Sequence, residues 1–249
     1  MLGLMQSQPL LISSLIDFAE RHHGDAEVVS RRVEGDIHRY TWRGVADRAR
    51  QVANALDGMN LLFSDRVATL AWNGFRHYEI YYAVAGSGAV IHTINPRLFP
   101  DQIAYIANHA EDKIVFYDTT FSPLVEKLKS QVKARFIPLD ETYEKLLEDD
   151  EFEWPTFDEN TAACLCYTSG TTGNPKGALY SHRSTMIHAY AAALPDTLNL
   201  SAREVVLPVV PMFHVNAWSL PYSCTMVGAK MVFPGPHLDG KSLYEQFES

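Results

Sequence analysis

Basic side chains are scarce in this sequence of 249 residues, which has 21 Lys and Arg against 30 Asp and Glu and a formal net charge of −9. The tightest basic cluster is the pair Arg31 and Arg32. A nucleic-acid-binding surface normally gathers many Lys and Arg into one stripe that neutralises backbone phosphates. We therefore expect no nucleic-acid partner. An acidic chain can still bind phosphate groups, because such sites are built locally from backbone N–H groups and one or two cations.

Cysteine is also scarce, with three residues, Cys164, Cys166 and Cys224. An odd, small number implies no disulfide framework. Cys164 and Cys166 stand two apart in an apolar run, so they share one face of a predicted strand. This placement favours small buried hydrophobes over a metal clamp, which would need nearby His partners. Free thiols are typical of a reducing cytoplasm.

Long apolar runs are missing, since no stretch of about 18 apolar residues is present that could span a bilayer. The first residues have no basic region and no small-residue cleavage site, so we expect no signal peptide. Internal repeats and low-complexity tracts are missing too. With 47% hydrophobic residues, the chain can bury a substantial core. We expect a soluble, cytoplasmic globular protein.

Helical and strand patterns alternate along most of the chain, which predicts an α/β fold with a doubly wound parallel sheet. Predicted strands cover residues 28–30, 37–40, 66–71, 89–94, 113–117, 161–167, 177–181, 205–209 and 229–233. Predicted helices cover residues 10–23, 78–88, 100–108, 123–130 and 182–194, with one starting at the N-cap Thr41 and one after His214. The acidic segment 140–155 is interpreted as a helix and a solvated linker, with domains at 1–150 and 151–249.

The segment 167–177, YTSGTTGNPKG, is the most informative part of the sequence. Its residues 169–173 place two glycines and three hydroxyl residues between two apolar strands, and Lys176 follows them. Glycines let successive backbone N–H groups point into one anion-binding concavity, and a lysine adds a full positive charge. A Walker loop would need G-x-x-x-x-G-K-[ST] and a following helix, whereas Pro175 and Gly177 flank Lys176 and a strand follows. An ordinary P-loop phosphotransferase is therefore a remote alternative.

This segment resembles the phosphate-binding signature of the adenylate-forming superfamily, which includes acyl-CoA synthetases, firefly-type luciferases and peptide-synthetase adenylation domains. Residues 65–68, 92–97, 182–183 and 211–218 resemble the same family, so the resemblance covers essentially the whole chain. It is strongest to bacterial medium- and long-chain fatty acyl-CoA synthetases and their methylmercaptopropionate-activating relatives. The resemblance implies the layered αβ sheets of the family's N-terminal domain, truncated.

The resemblance also implies a reaction in which a carboxylic acid and ATP with Mg²⁺ form an acyl-adenylate, and CoA then takes the acyl group. It assigns catalytic roles to His214 and Lys176, an acyl pocket and gate to His214, Val215 and Trp218, and a Mg²⁺ contact to Thr168. The implied phosphate-binding residues are Thr168, Ser169, Gly170, Thr171, Thr172, Gly173 and Lys176. His214 and Trp218, four residues apart, are expected on one helix face.

Several of the family's expected motifs would follow beyond residue 249, so we expect the 249-residue chain alone to be inactive. The apolar setting of Trp218 favours a fatty or other hydrophobic acid, and the resemblance implies a homodimer. Two alternatives remain open: a non-catalytic nucleotide- or acyl-binding module, and an adenylate-forming enzyme with an acceptor other than CoA. The roles of His92 and Arg97 stay undecided, and His182 is interpreted as a structural residue.

Overall fold

The computed structural model describes residues 1, 3–147, 152–168 and 174–248. The helices are α1 (Ser13–His23), α2 (Trp42–Gly58), α3 (Phe75–Gly86), α4 (Pro100–His109), α5 (Ser122–Leu128), α6 (Glu141–Glu144), α7 (His182–Ala193), α8 (Leu220–Val227) and α9 (Gly240–Glu248). The strands are β1 (Glu27–Arg31), β2 (Ile37–Thr41), β3 (Arg66–Leu70), β4 (Val90–Thr93), β5 (Ile114–Tyr117), β6 (Arg135–Pro138), β7 (Ala162–Thr168), β8 (Lys176–Ser181), β9 (Val205–Val206) and β10 (Lys230–Phe233).

The larger sheet has the strand order β6-β5-β3-β4-β7-β8 among the described residues. Neighbouring strands from β6 to β7 run parallel, and β8 pairs antiparallel with β7. β4 and β5 are buried along their whole length, as parallel strands covered on both faces normally are. This sheet confirms the predicted layered α/β class. The direction of β8 adds a hairpin that the alternation of elements did not predict.

The smaller sheet has the order β2-β1-β10-β9 in the part of the chain that is described. β1 and β2, both predicted as strands, form an antiparallel hairpin, and β10 lies parallel to β1 with Val28 opposite Met231. Each sheet thus combines strands from both sides of residue 150. A division of the chain at that residue stays a prediction.

The central helix α3 is buried at all twelve of its positions, including charged ones. Glu79 is paired with Arg48, whose Nε donates to Glu79 Oε1 over 2.7 Å, and the Tyr143 hydroxyl donates to Glu79 Oε2 over 2.8 Å. Arg76 Nε donates to Glu144 Oε1 over 2.7 Å. Charged groups in a core need such partners, because removing them from water without compensation is costly. The network ties α2 and α6 to α3.

The acidic segment that was expected to be a solvated linker is partly packed. Tyr143 is fully buried. The half-buried Trp154 donates from Nε1 to Asp17 Oδ1 over 3.1 Å. A Cβ atom at Gly86 would lie 2.6 Å from the Trp154 ring, so only glycine allows this contact. Tyr143 lies in α6, which confirms the predicted helix, whereas the linker interpretation was wrong for Trp154; residues 148–151 lie outside the described part.

Most predicted helices and strands are confirmed to within a few residues, but β6 and α9 were not predicted. The strand predicted over 205–209 is reduced to β9. Pro208 follows it and has no N–H group to add to a ladder. Within the described residues, no helix combines the length and apolar character needed to cross a bilayer.

Candidate active site

The β7–β8 hairpin brings the two ends of the predicted phosphate loop together. Thr168 and Lys176 are partners in the antiparallel register, and Thr168 Oγ1 donates to the Lys176 carbonyl oxygen over 3.3 Å. Both residues are exposed. The loop residues between them that were predicted to bind phosphate, namely Ser169, Gly170, Thr171, Thr172 and Gly173, lie outside the described residues. The hairpin thus presents one hydroxyl and one ammonium side by side at its tip.

A mostly apolar cavity of about 310 Å³ lies farther down the same hairpin. Its lining consists of Tyr180, Ser184, Thr185, His188, Val215, Asn216, Trp218, Ser219 and Tyr222. Tyr180 follows Lys176 by four residues on β8, which is about 13 Å along an extended strand. The cavity therefore opens between the hairpin, α7 and the segment that precedes α8.

The segment Val215–Ser219 has left-handed backbone at every position, with φ between 45° and 67°. His214, at φ −122°, precedes this turn, and α8 begins only at Leu220. The prediction that His214 and Trp218 share one face of a helix was therefore wrong. Left-handed backbone costs about 1–2 kcal/mol for each non-glycine residue. Such a turn persists only where its surroundings hold it.

The turn nevertheless places two of the three residues predicted for the acyl pocket on the cavity wall. Val215 and Trp218 line it, with 43% and 55% of their surfaces exposed. Core packing, the plainer interpretation of Trp218, does not fit that exposure. His214 is exposed and is not part of the cavity lining among the described residues. The fully buried Tyr222 closes the cavity from inside.

The two thiols of β7 stand behind this wall. Cys164 Sγ lies 2.9 Å from the Tyr222 hydroxyl, and Cys166 Sγ donates to Asn216 Oδ1 over 2.9 Å. Burial raises the pKa of Cys164 to about 12 and also raises the pKa of Cys166, so both thiols stay protonated at neutral pH. The described residues contain no group of three His, Cys, Asp or Glu side chains suited to a metal ion. The prediction that these cysteines are small buried residues is confirmed.

Asn73, a residue with no predicted role, holds the segment that leads to His214. Its Nδ2 donates to the carbonyl oxygens of Pro208 and Val210 over 2.8 and 2.9 Å. Its Oδ1 accepts from the Met212 backbone N–H over 2.7 Å. The signal in the sequence was a polar residue three positions after the end of the buried strand β3. The Asn73 side chain therefore supplies hydrogen bonds to backbone groups from Pro208 onward, where the strand pairing of β9 has ended.

His92 and Arg97 have distinct surroundings. His92 is fully buried, and its Nδ1 lies 2.8 Å from Asp112 Oδ2. Its ring centroid lies 5.2 Å from that of Tyr167, the residue before Thr168. The pair of His92 and Asp112 therefore lies close to the C-terminal end of β7. The guanidinium of Arg97 lies 5.6 Å from the ring centroid of Phe213, which is the residue before His214 in the sequence.

A model of the AMP-binding enzyme family matches residues 16–249 of the chain. The chain belongs to this family. It is 54% identical to a 3-methylmercaptopropionyl-CoA ligase of Ruegeria lacuscaerulensis and 55% identical to a medium-chain-fatty-acid–CoA ligase of Ectopseudomonas oleovorans. Each match covers 98% of this chain and 48% of the relative. The chain thus spans about half the length of the curated relatives it matches.

The fold of this AMP-binding enzyme chain also matches solved structures. A fatty acyl CoA synthetase of Mycobacterium tuberculosis superposes with a TM-score of 0.84 at 23% identity, over 96% of this chain and 47% of that one. At this level of identity the match supports a shared fold and nothing more. It agrees with the two sheets described above, which are those of the N-terminal region of acyl-CoA synthetases.

Thr168 is the residue of this AMP-binding enzyme chain that was predicted to contact magnesium. Its hydroxyl hydrogen is directed to the Lys176 carbonyl oxygen, which leaves the oxygen lone pairs available to a cation. Mg²⁺ normally keeps several waters and is bound through substrate phosphates and few protein oxygens. Thr168 therefore fits the small protein contribution that such an ion needs.

His182 has a structural position in this AMP-binding enzyme chain, at the start of α7. It is fully buried, and its Nδ1 accepts a hydrogen bond from the Ile12 backbone N–H over 3.1 Å. The imidazole must be neutral for Nδ1 to accept. Burial lowers the pKa of His182 to about 4. The contact joins the start of α7 to the residue before α1.

We expect the His182→Gln variant to lose part of the acid sensitivity of the wild-type chain. Because the folded-state pKa of His182 is about 4 and an unfolded histidine has 6.5, the unfolded state binds more protons between these values. Stability falls as pH drops through this window, and His182 accounts for about 2 kcal/mol between pH 7 and 4.5. Glutamine is polar but does not titrate in this range.

The measurement is urea unfolding followed by circular dichroism at several pH values. The matched control is His237→Gln, at an exposed histidine, which we expect to keep the wild-type pH dependence. An identical loss of unfolding free energy in the wild type and in His182→Gln would contradict the assignment.

Proposed function

We propose that the chain is the N-terminal part of an ATP-dependent carboxylic acid–CoA ligase. The enzyme activates a fatty or other hydrophobic acid as acyl-AMP and transfers the acyl group to CoA. One observation carries the proposal: a single hairpin bears Thr168 and Lys176 at its tip and Tyr180 of a mostly apolar cavity farther down. A phosphate-binding end and an apolar pocket on one rigid element suit a reaction between ATP and an apolar acid.

In the first step a carboxylate oxygen bonds to the α-phosphorus of ATP, and pyrophosphate leaves. In the second step the CoA thiol sulfur bonds to the acyl carbonyl carbon, its proton is lost, and AMP leaves. The Lys176 ammonium would neutralise charge on the phosphates as it accumulates on the leaving group. Residues 169–173 would supply backbone N–H groups and hydroxyls, and Thr168 would contact Mg²⁺.

The acyl end of the substrate would lie in the cavity beside Val215 and Trp218. We place Trp218 at the mouth of this cavity because more than half of its surface is exposed there. An indole at such a place can turn without disturbing the core. His214 would approach the reacting carboxylate from the start of the turn. The mostly apolar lining supports a hydrophobic acid.

The alternatives are less well supported. Both curated relatives are CoA ligases by name, which favours CoA over another acceptor. A non-catalytic binding module has no feature in its favour among the described residues. We further propose a homodimer in the cytoplasm; the buried thiols of Cys164, Cys166 and Cys224, all free, support a reducing compartment.

The test is acid-dependent exchange of labelled pyrophosphate into ATP by a full-length ligase that contains this chain. We expect exchange with octanoate, weaker exchange with acetate, and thioester formation only when CoA is added. Exchange that does not respond to any carboxylic acid would refute the proposal. We expect no exchange by the 249-residue chain alone, and activity above blank from it would refute that part.

A further inference from the structure

The left-handed turn Val215–Ser219 needs an external support. A β-branched residue such as Val215 rarely adopts positive φ, and five non-glycine residues in a row do so here. Inside the turn, the Ala217 backbone N–H donates to the His214 carbonyl oxygen over 3.0 Å, and the Leu220 backbone N–H donates to the Ala217 carbonyl oxygen. These bonds do not remove the cost of left-handed backbone, so contacts of the buried side chains must help to hold the shape.

Asn216 provides that support from the middle of the turn. It is 6% exposed, and its Oδ1 accepts the thiol hydrogen of Cys166. Since a thiol has one hydrogen and Cys166 donates it to Asn216, the Thr93 hydroxyl donates to Cys166 Sγ, 3.3 Å away. Thr93 and Cys166 are also register partners on β4 and β7. A series of side-chain hydrogen bonds, from Thr93 through Cys166 to Asn216, thus links the larger sheet to the turn.

Cys166 belongs to the strand that leads into the phosphate loop. Thr168 follows it by two residues, and β7 is hydrogen-bonded to β4 on one side and β8 on the other. Strands paired on both sides are rigid, so β7 offers a fixed point for the turn. The thiol is buried and stays protonated, which keeps it a donor.

We propose that Cys166 is a positioning residue: by holding Asn216 it fixes the left-handed turn, and thereby places Val215 and Trp218 on the wall of the acyl cavity. The consequence for acid binding rests on the proposed function. The turn's dependence on Cys166 does not. Cys166 itself does not line the cavity, so its effect on the substrate passes through Asn216.

The first experiment measures hydrogen exchange of the 249-residue chain by mass spectrometry. Cys166→Ala removes the donor, and we expect amides of residues 213–220 to exchange roughly 2- to 10-fold faster, as loss of one hydrogen bond allows. Cys166→Ser keeps a donor and should restore slow exchange. Cys224→Ala is the matched control, since it removes a buried thiol that has no assigned contact with the turn.

Faster exchange in Cys166→Ala alone supports the proposal. Equal exchange of residues 213–220 in Cys166→Ala and Cys224→Ala overturns it. If Cys166→Ala does not fold, Cys166→Ser against Cys166→Val gives the same comparison, because valine fills the space without donating. Equal exchange in that pair also overturns the proposal.

The second experiment measures the exchange reaction of a full-length ligase. We expect Cys166→Ala to raise KM for octanoate roughly 2- to 10-fold with less change in kcat, and serine to restore it. A merely structural cysteine would lower the yield of folded enzyme without moving KM, and an unchanged KM overturns the proposal. If the wild type shows no acid-dependent exchange, the proposed function fails, and the hydrogen-exchange result still decides whether Cys166 holds the turn.

Discussion

The Arg48→Met variant should lose about 3–5 kcal/mol of unfolding free energy, which is typical when one partner of a buried ion pair is removed. Glu79 is fully buried, and burial raises the pKa of its carboxyl group while the Arg48 guanidinium lowers it. Without Arg48, the Tyr143 hydroxyl would be its remaining partner among the contacts described above. Arg48 also contacts Glu144 over 2.9 Å, so α2 would lose its link to α6.

Urea unfolding of the 249-residue chain measures this loss. The control is Lys145→Met, which breaks an exposed contact of 3.9 Å with Glu141 and should change the free energy by less than about 0.5 kcal/mol. The double variant Arg48→Met, Glu79→Leu should recover part of the loss, because the buried carboxylate that would lack Arg48 is then removed as well. A loss below about 1 kcal/mol in Arg48→Met would contradict the importance of this pair.

The Lys176→Ala variant of a full-length ligase should lose roughly 100-fold in kcat/KM for ATP, as seen when one charge-stabilising group is removed from an active site. The side chain is exposed at the first position of β8, so the fold should be unaffected. Lys176→Arg keeps the positive charge but places it on a planar guanidinium group, and we expect this variant to recover the activity only partly.

The exchange assay that tests the function also measures this effect. Lys133→Ala is a charge-matched control at an exposed position before β6, and it should stay within about twofold of the wild type. A Lys176→Ala enzyme within about threefold of the wild type would show that the hairpin tip does not hold the phosphates.

The elements that the sequence predicted well are those whose signal is local. β5 is a short apolar run between two polar residues, and Thr41 confirms its predicted N-cap by accepting from the Gly44 backbone N–H. The predicted family was likewise carried by one contiguous segment. Such features require no knowledge of distant contacts.

The features that the sequence did not predict depend on distant contacts. β6 has four residues and ends at Pro138, so it is too short to show a clear alternation, and among the described strands it pairs with β5 alone. α9 was not predicted; its aromatic residues Tyr244 and Phe247 are exposed and its buried residue is the polar Gln246, so its apolar residues do not mark its buried side. The left-handed turn depends on Cys166, fifty residues away from Asn216. No local pattern marks a contact of this kind.

The parallel pairing of β1 with β10 has a consequence for how the protein is made. Val28 emerges from the ribosome about 200 residues before its partner Met231. During that interval β1 has β2 on one side and an open edge on the other, and an open edge can pair with a neighbouring nascent chain. At about 5–20 residues per second the edge stays open for roughly 10–40 seconds. Completion of the smaller sheet must therefore be one of the last folding events in this region.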